Sequence, residues 1–186
     1  MIDALGLVSA RLISLVGAGG KTNLMFALAR EFAAVGERVL VTTTTKIATS
    51  EAVGPWPSFG ADSAADILRL ADAAASPIIA YHHELAGTSR LQGFDPAIID
   101  ELARDGTFGR ILVEADGSAR RPLKAPAAHE PVVPSATDAF IVVVGLNGLG
   151  QPLSEDNIFR SEIWQRLTGG IVGDPIAAGA VVQAYL

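Results

Sequence analysis

Short apolar runs alternate along the chain with amphipathic stretches, divided by turns rich in glycine or proline. Residues 12–16, Leu-Ile-Ser-Leu-Val, are rich in branched side chains and predict a buried strand. Over 22–35, Leu24, Met25, Leu28 and Phe32 recur on one stripe and predict a helix. After a turn at Gly36, residues 39–42 predict a second strand. This β-α-β unit has the length of a right-handed parallel crossover. Residues 1–11 read as a lead-in with a helical turn, and 47–63, with Gly54-Pro55-Trp56-Pro57, as an excursion loop. A helix over 63–75, a strand over 77–81 and a helix opened by Asp95 and Pro96 follow. Residues 111–113 form a continuous apolar strand, and a loop bearing Pro122, Pro126, Pro131 and Pro134 leads to a strand over 139–144. Helices over 155–167 and 175–186 close the chain. The pattern predicts an α/β fold, a mostly parallel sheet flanked by helices in a three-layer sandwich. A length of 186 residues suits one domain over 1–186.

The first strand meets its helix at Gly17-Ala18-Gly19-Gly20-Lys21-Thr22. Glycines let backbone N–H groups approach phosphate oxygens, and the helix start adds partial positive charge. Lys21 would reach the β and γ phosphates, and the Thr22 hydroxyl would ligate Mg²⁺. The nucleotide-binding candidates are therefore Gly17, Ala18, Gly19, Gly20, Lys21, Thr22 and Asn23, in a P-loop NTPase-like domain. In the G-x-x-x-x-G-K-[ST] pattern the first glycine falls at position 15, which is leucine here. The shorter loop is similar to that of the Mur and folylpolyglutamate ligases. The plain alternative is a glycine-rich turn with a surface lysine.

Ligands of open α/β sheets bind beyond the carboxyl ends of the strands. Residues 42–46 place threonines and Lys46 there; Thr45 would ligate Mg²⁺ and Lys46 would face a phosphate, unless the threonines merely favour a strand. Glu114 and Asp116 lie two apart and would converge on the same metal, with one carboxylate able instead to position a water or accept a proton. Solvated loop-edge acids are the alternative. Arg120, Arg121 and Lys124 make an electropositive lip for a second anionic substrate or the transferring phosphate, or else are ordinary surface charges. The catalytic candidates are Lys21, Asp116, Arg121 and Lys124. His129-Glu130 sits in the same loop, and His82-His83 has no spaced third ligand.

Composition narrows the partners. A net charge of −6 and a pI near 5.0 lack the basic footprint of a nucleic-acid binder. Hydrophobic residues at 49% and charged residues at 18% argue against disorder. With no cysteine there are no disulfides or thiolate metal sites within the chain. No signal peptide and no bilayer-length apolar run is evident, so a cytoplasmic protein without membrane contact is expected.

Together the motifs resemble the YqeC family, described as accessory proteins for selenium-dependent molybdenum hydroxylases. The resemblance rests on the 17–22 loop, Thr42-Thr43-Thr44-Thr45-Lys46, Glu114-Ala115-Asp116-Gly117, residues 121–126, His129-Glu130-Pro131-Val132 and Val144-Gly145-Leu146. Gly150, Pro152, Leu153, Asn157 and Arg160 complete it, over about residues 12–167. It implies an ATP- or GTP-dependent step, hydrolysis or transfer, in maturing a molybdenum hydroxylase cofactor. The partners it implies are a molybdenum cofactor precursor or the hydroxylase itself. Phe159 stands where similar sequences tend to carry His, and family members usually continue beyond position 186 with another segment. Besides the NTPase or transferase, two readings stay open: a minimal Mur-type ligase and a nucleotide-gated chaperone.

Overall fold

The computed structural model describes residues 1–51 and 54–185, and in it successive side chains of the first strand leave on opposite sides of one sheet. In chain order the strands are β1 (Leu12–Gly17), β2 (Val39–Thr43), β3 (Ile47–Ala48), β4 (Ser58–Gly60), β5 (Ile78–Tyr81) and β6 (His83–Leu85). They continue with β7 (Arg90–Gln92), β8 (Arg110–Glu114), β9 (Leu123–Lys124), β10 (Ala139–Val143) and β11 (Ile158–Phe159). Six of them form one sheet in the order β10-β1-β8-β2-β5-β4, every pairing parallel. β8 lies between β1 and β2, so the first crossover skips one strand position.

Ile13 and Leu15 of β1, Val39 and Val41 of β2 and Leu112 of β8 face one side. There they pack on Met25, Leu28, Ala29 and Phe32 of helix α1 (Lys21–Ala34). Leu12, Leu40, Ile111 and Val113 face the other side. They meet α2 (Ala64–Asp72) and α3 (Pro96–Asp105) through Ile67, Ile99 and Leu102. Both helices start where short polar side chains offer an acceptor: Ser63 accepts from the Asp66 N–H and Asp95 from the Ala97 N–H. The result is the expected α/β fold, a mainly parallel sheet flanked by helices. β10 is an edge strand; Ile141 and Val143 pack inward while Phe140 and Val142 are exposed.

Three segments differ from expectation. Within 47–63 the chain pairs twice, as β3 against β7 and as β4 at the sheet edge; Ala52 and Val53 of that loop lie outside the described residues. The helix expected over 155–167 starts only at Ser161, as α4 (Ser161–Thr168). Arg160 adopts the left-handed conformation (φ 65°), and the Glu155 carboxylate accepts from the Ser161 N–H and hydroxyl (2.9 and 2.6 Å). Glu155 therefore caps the helix from outside it. The proline loop, expected to hold no strand, turns inward at β9, where Leu123, Lys124 and Ala125 are fully buried and β11 pairs in parallel.

That inward turn nucleates a third apolar cluster of Leu123, Leu153, Ile158, Trp164, Ile176 and Val181. The last helix, expected over 175–186, is α5 (Ala178–Tyr185) and closes this cluster; Leu186 lies outside the described residues. No helix of the described residues is long and apolar enough to cross a membrane. Trp164 is the largest fully buried side chain, so Trp164→Ala should cost about 3–5 kcal/mol by transfer and cavity terms. Urea denaturation followed by circular dichroism measures it; an unchanged midpoint would mean that the third cluster adds nothing to the fold.

Candidate functional site

Register brings the strand ends together. Gly17 stands opposite Val143, and both Leu15 and Thr43 stand opposite Glu114. Between β1 and α1, Gly17, Gly19 and Gly20 all have positive φ (93°, 76° and 119°). A side-chain carbon on Gly17 would overlap the Val143 carbonyl, and one on Gly19 the backbone of Gly145. The Ala18 N–H donates to the same Val143 carbonyl at 2.8 Å. Helix α1 then starts with no side-chain cap, and its first backbone bond runs from Leu24 to Gly20 (3.0 Å). The N–H groups of Lys21, Thr22 and Asn23 are thus left at the open end of the helix, where its dipole is positive.

Behind this loop runs a chain of alternating charges. The Lys21 ammonium donates to the Gly17 carbonyl (2.6 Å) and sits 3.5 Å from Glu114 and 3.2 Å from Asp116. Asp116 accepts the Gly17 N–H on both oxygens (3.1 and 3.0 Å) and lies 2.8 Å from Lys124. Lys124 reaches the Gly117 carbonyl (2.7 Å) and Glu130 (2.5 Å), and Glu130 takes both arms of Arg160 (2.7 and 3.1 Å). Lys21, Glu114, Asp116 and Lys124 are all buried. Burial by itself would raise the Glu130 carboxyl, but the hydrogen bonds from Arg160 and Lys124 outweigh it and hold its pKa at about 2. Burial, then the charge on Asp116, pushes the Tyr185 phenol up; its hydroxyl donates to the Lys124 carbonyl at 2.9 Å.

In front of the loop opens a cavity of about 710 Å³. Gly19 to Asn23, Lys46, Arg90, Glu114 and residues 117–122 line it, with Phe26 beyond the helix start. Five cationic residues and, among the described residues, one carboxylate face this space. Of the residues expected to bind phosphate, Gly19, Gly20, Lys21, Thr22, Asn23 and Lys46 are at the cavity, whereas Gly17 and Ala18 shape the loop from behind. Arg120 and Arg121 line it as expected.

Lys124 does not. It is fully buried between Asp116 and Glu130 and belongs to no electropositive lip. Asp116 is likewise turned inward, its oxygens taken up by the Gly17 N–H and two lysines, which leaves none for a metal. Thr45 contributes nothing to the cavity wall; its N–H donates to the Thr43 hydroxyl instead.

The Thr22 hydroxyl donates to Glu114 at 3.2 Å at the open helix end, a pair of hard oxygen donors that fits Mg²⁺. Glu114 reaches this place by alternation. Leu112 points to the α1 side of the sheet, so Glu114, two residues on, does too. No group of three or more acidic, His or Cys residues among the described residues could hold a metal by itself. The residues that sequence reasoning missed are Arg90, carried in by the β6–β7 hairpin, and the Glu130–Arg160 pair.

A family model described as YqeC protein matches residues 13–162. The chain belongs to the YqeC family. The matched stretch holds the glycine loop and every member of the charge chain from Lys21 to Arg160. A curated relative from Escherichia coli (strain K12), an "Uncharacterized protein YqeC", is 40% identical over 158 residues. The match covers 84% of this chain and 60% of the relative, so the chain spans less than two thirds of that protein's length. No solved structure matches the chain.

Two expectations follow from the charge chain. The Glu130 carboxyl is lowered in the fold from its ordinary 4.5 to about 2, so its contribution is complete above about pH 4.5 and lost as pH falls through 2. The full loss is worth about 3 kcal/mol, of which about 2 kcal/mol falls between pH 6 and pH 3, so denaturant titrations at those two pH values should show wild type losing more stability than Glu130→Gln. An equal loss in both proteins would separate Glu130 from the acid response. Lys124→Ala should cost about 3 kcal/mol by removing one cation from the buried Asp116 and from Glu130, against about 0.5 kcal/mol or less for a surface lysine. The urea midpoint decides between them.

Proposed function

We propose that this chain is a Mg²⁺-dependent nucleotide-binding protein, an NTPase or phosphoryl- or nucleotidyl-transfer enzyme, which assists maturation of the selenium-dependent molybdenum hydroxylase cofactor in the cytoplasm. One observation carries the nucleotide reading: an uncapped helix start, beside three left-handed glycines and the Lys21 ammonium, opens into a cavity. N–H groups at such a helix end bind phosphate oxygens without reorganisation. Lys21 is already held over the loop by the Gly17 carbonyl and can turn its ammonium to a phosphate while Glu114 and Asp116 keep its charge balanced. Thr22 and Glu114 would hold Mg²⁺, which supplies charge neutralisation on the phosphate oxygens when bound. The Phe26 ring lines the same cavity and offers an apolar face to a nucleobase, adenine or guanine. Membership of the YqeC family, rather than any distance in the site, supports the place in cofactor maturation.

The charge chain favours a second reading, a nucleotide-gated chaperone. A phosphate that draws on Lys21 also disturbs Asp116, and through Lys124 and Glu130 the effect reaches Arg160 beside the third cluster. Turnover separates the two: an enzyme hydrolyses Mg–ATP or Mg–GTP, or transfers from it to a small acceptor, without a partner protein, whereas a switch needs one.

Calorimetry tests the shared premise. Lys21→Ala should weaken Mg–ATP or Mg–GTP binding by about 2 kcal/mol or more, roughly 30-fold, the scale of a charge-assisted contact. Thr22→Val, which leaves every ion pair in place, should abolish the Mg²⁺ dependence of that binding. Undiminished affinity in the first variant, or equal binding by wild type in a chelator, removes the reading.

A further inference from the structure

We infer that Lys46, Arg90 and Arg120, which line the cavity in front of the glycine loop, form a second anion site there, for a small phosphate-bearing molecule separate from the nucleotide. This rests on the nucleotide reading for the first site only. The charges around the cavity are unequal. Lys21 is balanced by Glu114 and Asp116, and Arg121 donates to the Glu155 carbonyl (2.6 Å) with Asp156 3.9 Å away. Lys46, Arg90 and Arg120 have no carboxylate within ion-pair distance among the described residues. The chain has 20 acidic residues against 14 basic ones, yet three unbalanced cations line one concavity. Such an arrangement focuses the field on an incoming anion.

Different elements deliver the three cations. Lys46 precedes β3, and Arg90 lies opposite Ala48 in the pairing of β3 with β7. Its neighbour Leu91 is buried, so Arg90 takes the other face of the hairpin. Arg120 is at the tip of a turn closed by the Arg121 N–H on the Ser118 carbonyl (2.9 Å). Ala119 and Arg120 both have left-handed backbones (φ 50° and 61°), an unfavourable state for residues other than glycine. The turn is pinned from the other side, where Pro122 accepts the Gly145 N–H at 2.8 Å. Backbone held in this way where it lines a cavity marks a functional turn.

The nucleotide reading assigns the phosphates to the helix start, Lys21 and the Thr22–Glu114 pair, and this proposal gives the hairpin and turn cations, Lys46 with them, to another ligand. Two guanidinium forks and an ammonium suit a phosphate monoester better than a single carboxylate. A cavity of 710 Å³ lies in the upper half of the range of about 300–1,000 Å³ for ligand pockets.

The test saturates the protein with Mg²⁺ and a non-hydrolysable triphosphate analogue, then titrates inorganic phosphate by calorimetry. One further phosphate should bind. Arg90→Ala with Arg120→Ala should weaken it about tenfold or more while the analogue's affinity changes less than about threefold. The paired lysine substitutions, which keep both charges, should recover much of the loss and control for misfolding. The proposal fails if phosphate binds only when the analogue is absent, or if the double substitution weakens the analogue as much as it weakens phosphate. In that event the cations serve the nucleotide's own phosphates. If wild type binds no analogue yet its phosphate binding depends on Arg90 and Arg120, the second site stands and the nucleotide reading falls.

Discussion

Asp116 and Lys124, 2.8 Å apart and both nearly without solvent, are the contact on which the rest of this molecule depends. Neither charge would be tolerated alone at such burial, because the cost of leaving water exceeds what one imperfect partner returns. Each is therefore surrounded. Asp116 receives the Gly17 N–H and stands near Lys21; Lys124 adds the Gly117 carbonyl and Glu130. The pair ties the glycine loop, the end of β8, the start of β9 and the third apolar cluster into one unit. A buried ion pair is weak evidence for stability, since an apolar replacement can do as well. Its effect here is on shape: it determines where the loop backbone stands.

The sheet supplies the complementary constraint. Parallel strands end on the same side, and α1 occupies one face only, so residues two apart at the end of β8 go toward the start of that helix. Glu114 meets Thr22 and Lys21 for that reason. The residue classes divide accordingly. Charges behind the loop are mutually neutralised and structural, whereas three of the five cations facing the cavity in front of it, Lys46, Arg90 and Arg120, are unbalanced among the described residues.

The local features were legible in the sequence. The apolar runs of β1, β2 and β8, the stripe on α1 and the cap at Asp95 depend on near neighbours, and the glycine loop announced its own geometry. Lys124 was not legible, because a lysine among prolines reads as surface. Its burial depends on Asp116 eight positions earlier, Glu130 six later and a strand partner at Phe159. Residues 155–160 look helical by composition, but Glu155 accepts from Ser161 and Arg160 turns to Glu130, and both contacts need a tertiary partner in place. Arg90 gave no signal at all, since the β6–β7 hairpin has polar residues on both strands and little alternation to read.

The wall of the glycine loop has a dynamic consequence. Gly17 is held against Val143, the last residue of an edge strand with sheet pairing on one side only, and Gly19 against Gly145 two residues beyond it. Edge elements with exposed side chains, here Phe140 and Val142, open locally at lower free energy than the middle of a sheet. Each opening of β10 removes the acceptor of the Ala18 N–H and frees the loop backbone. The position of the loop backbone then depends on a strand that lines no part of the cavity. A ligand that binds only the ordered loop, as the proposed nucleotide would, favours the closed strand, so protection of the β10 amides against hydrogen exchange would report on it from outside the cavity.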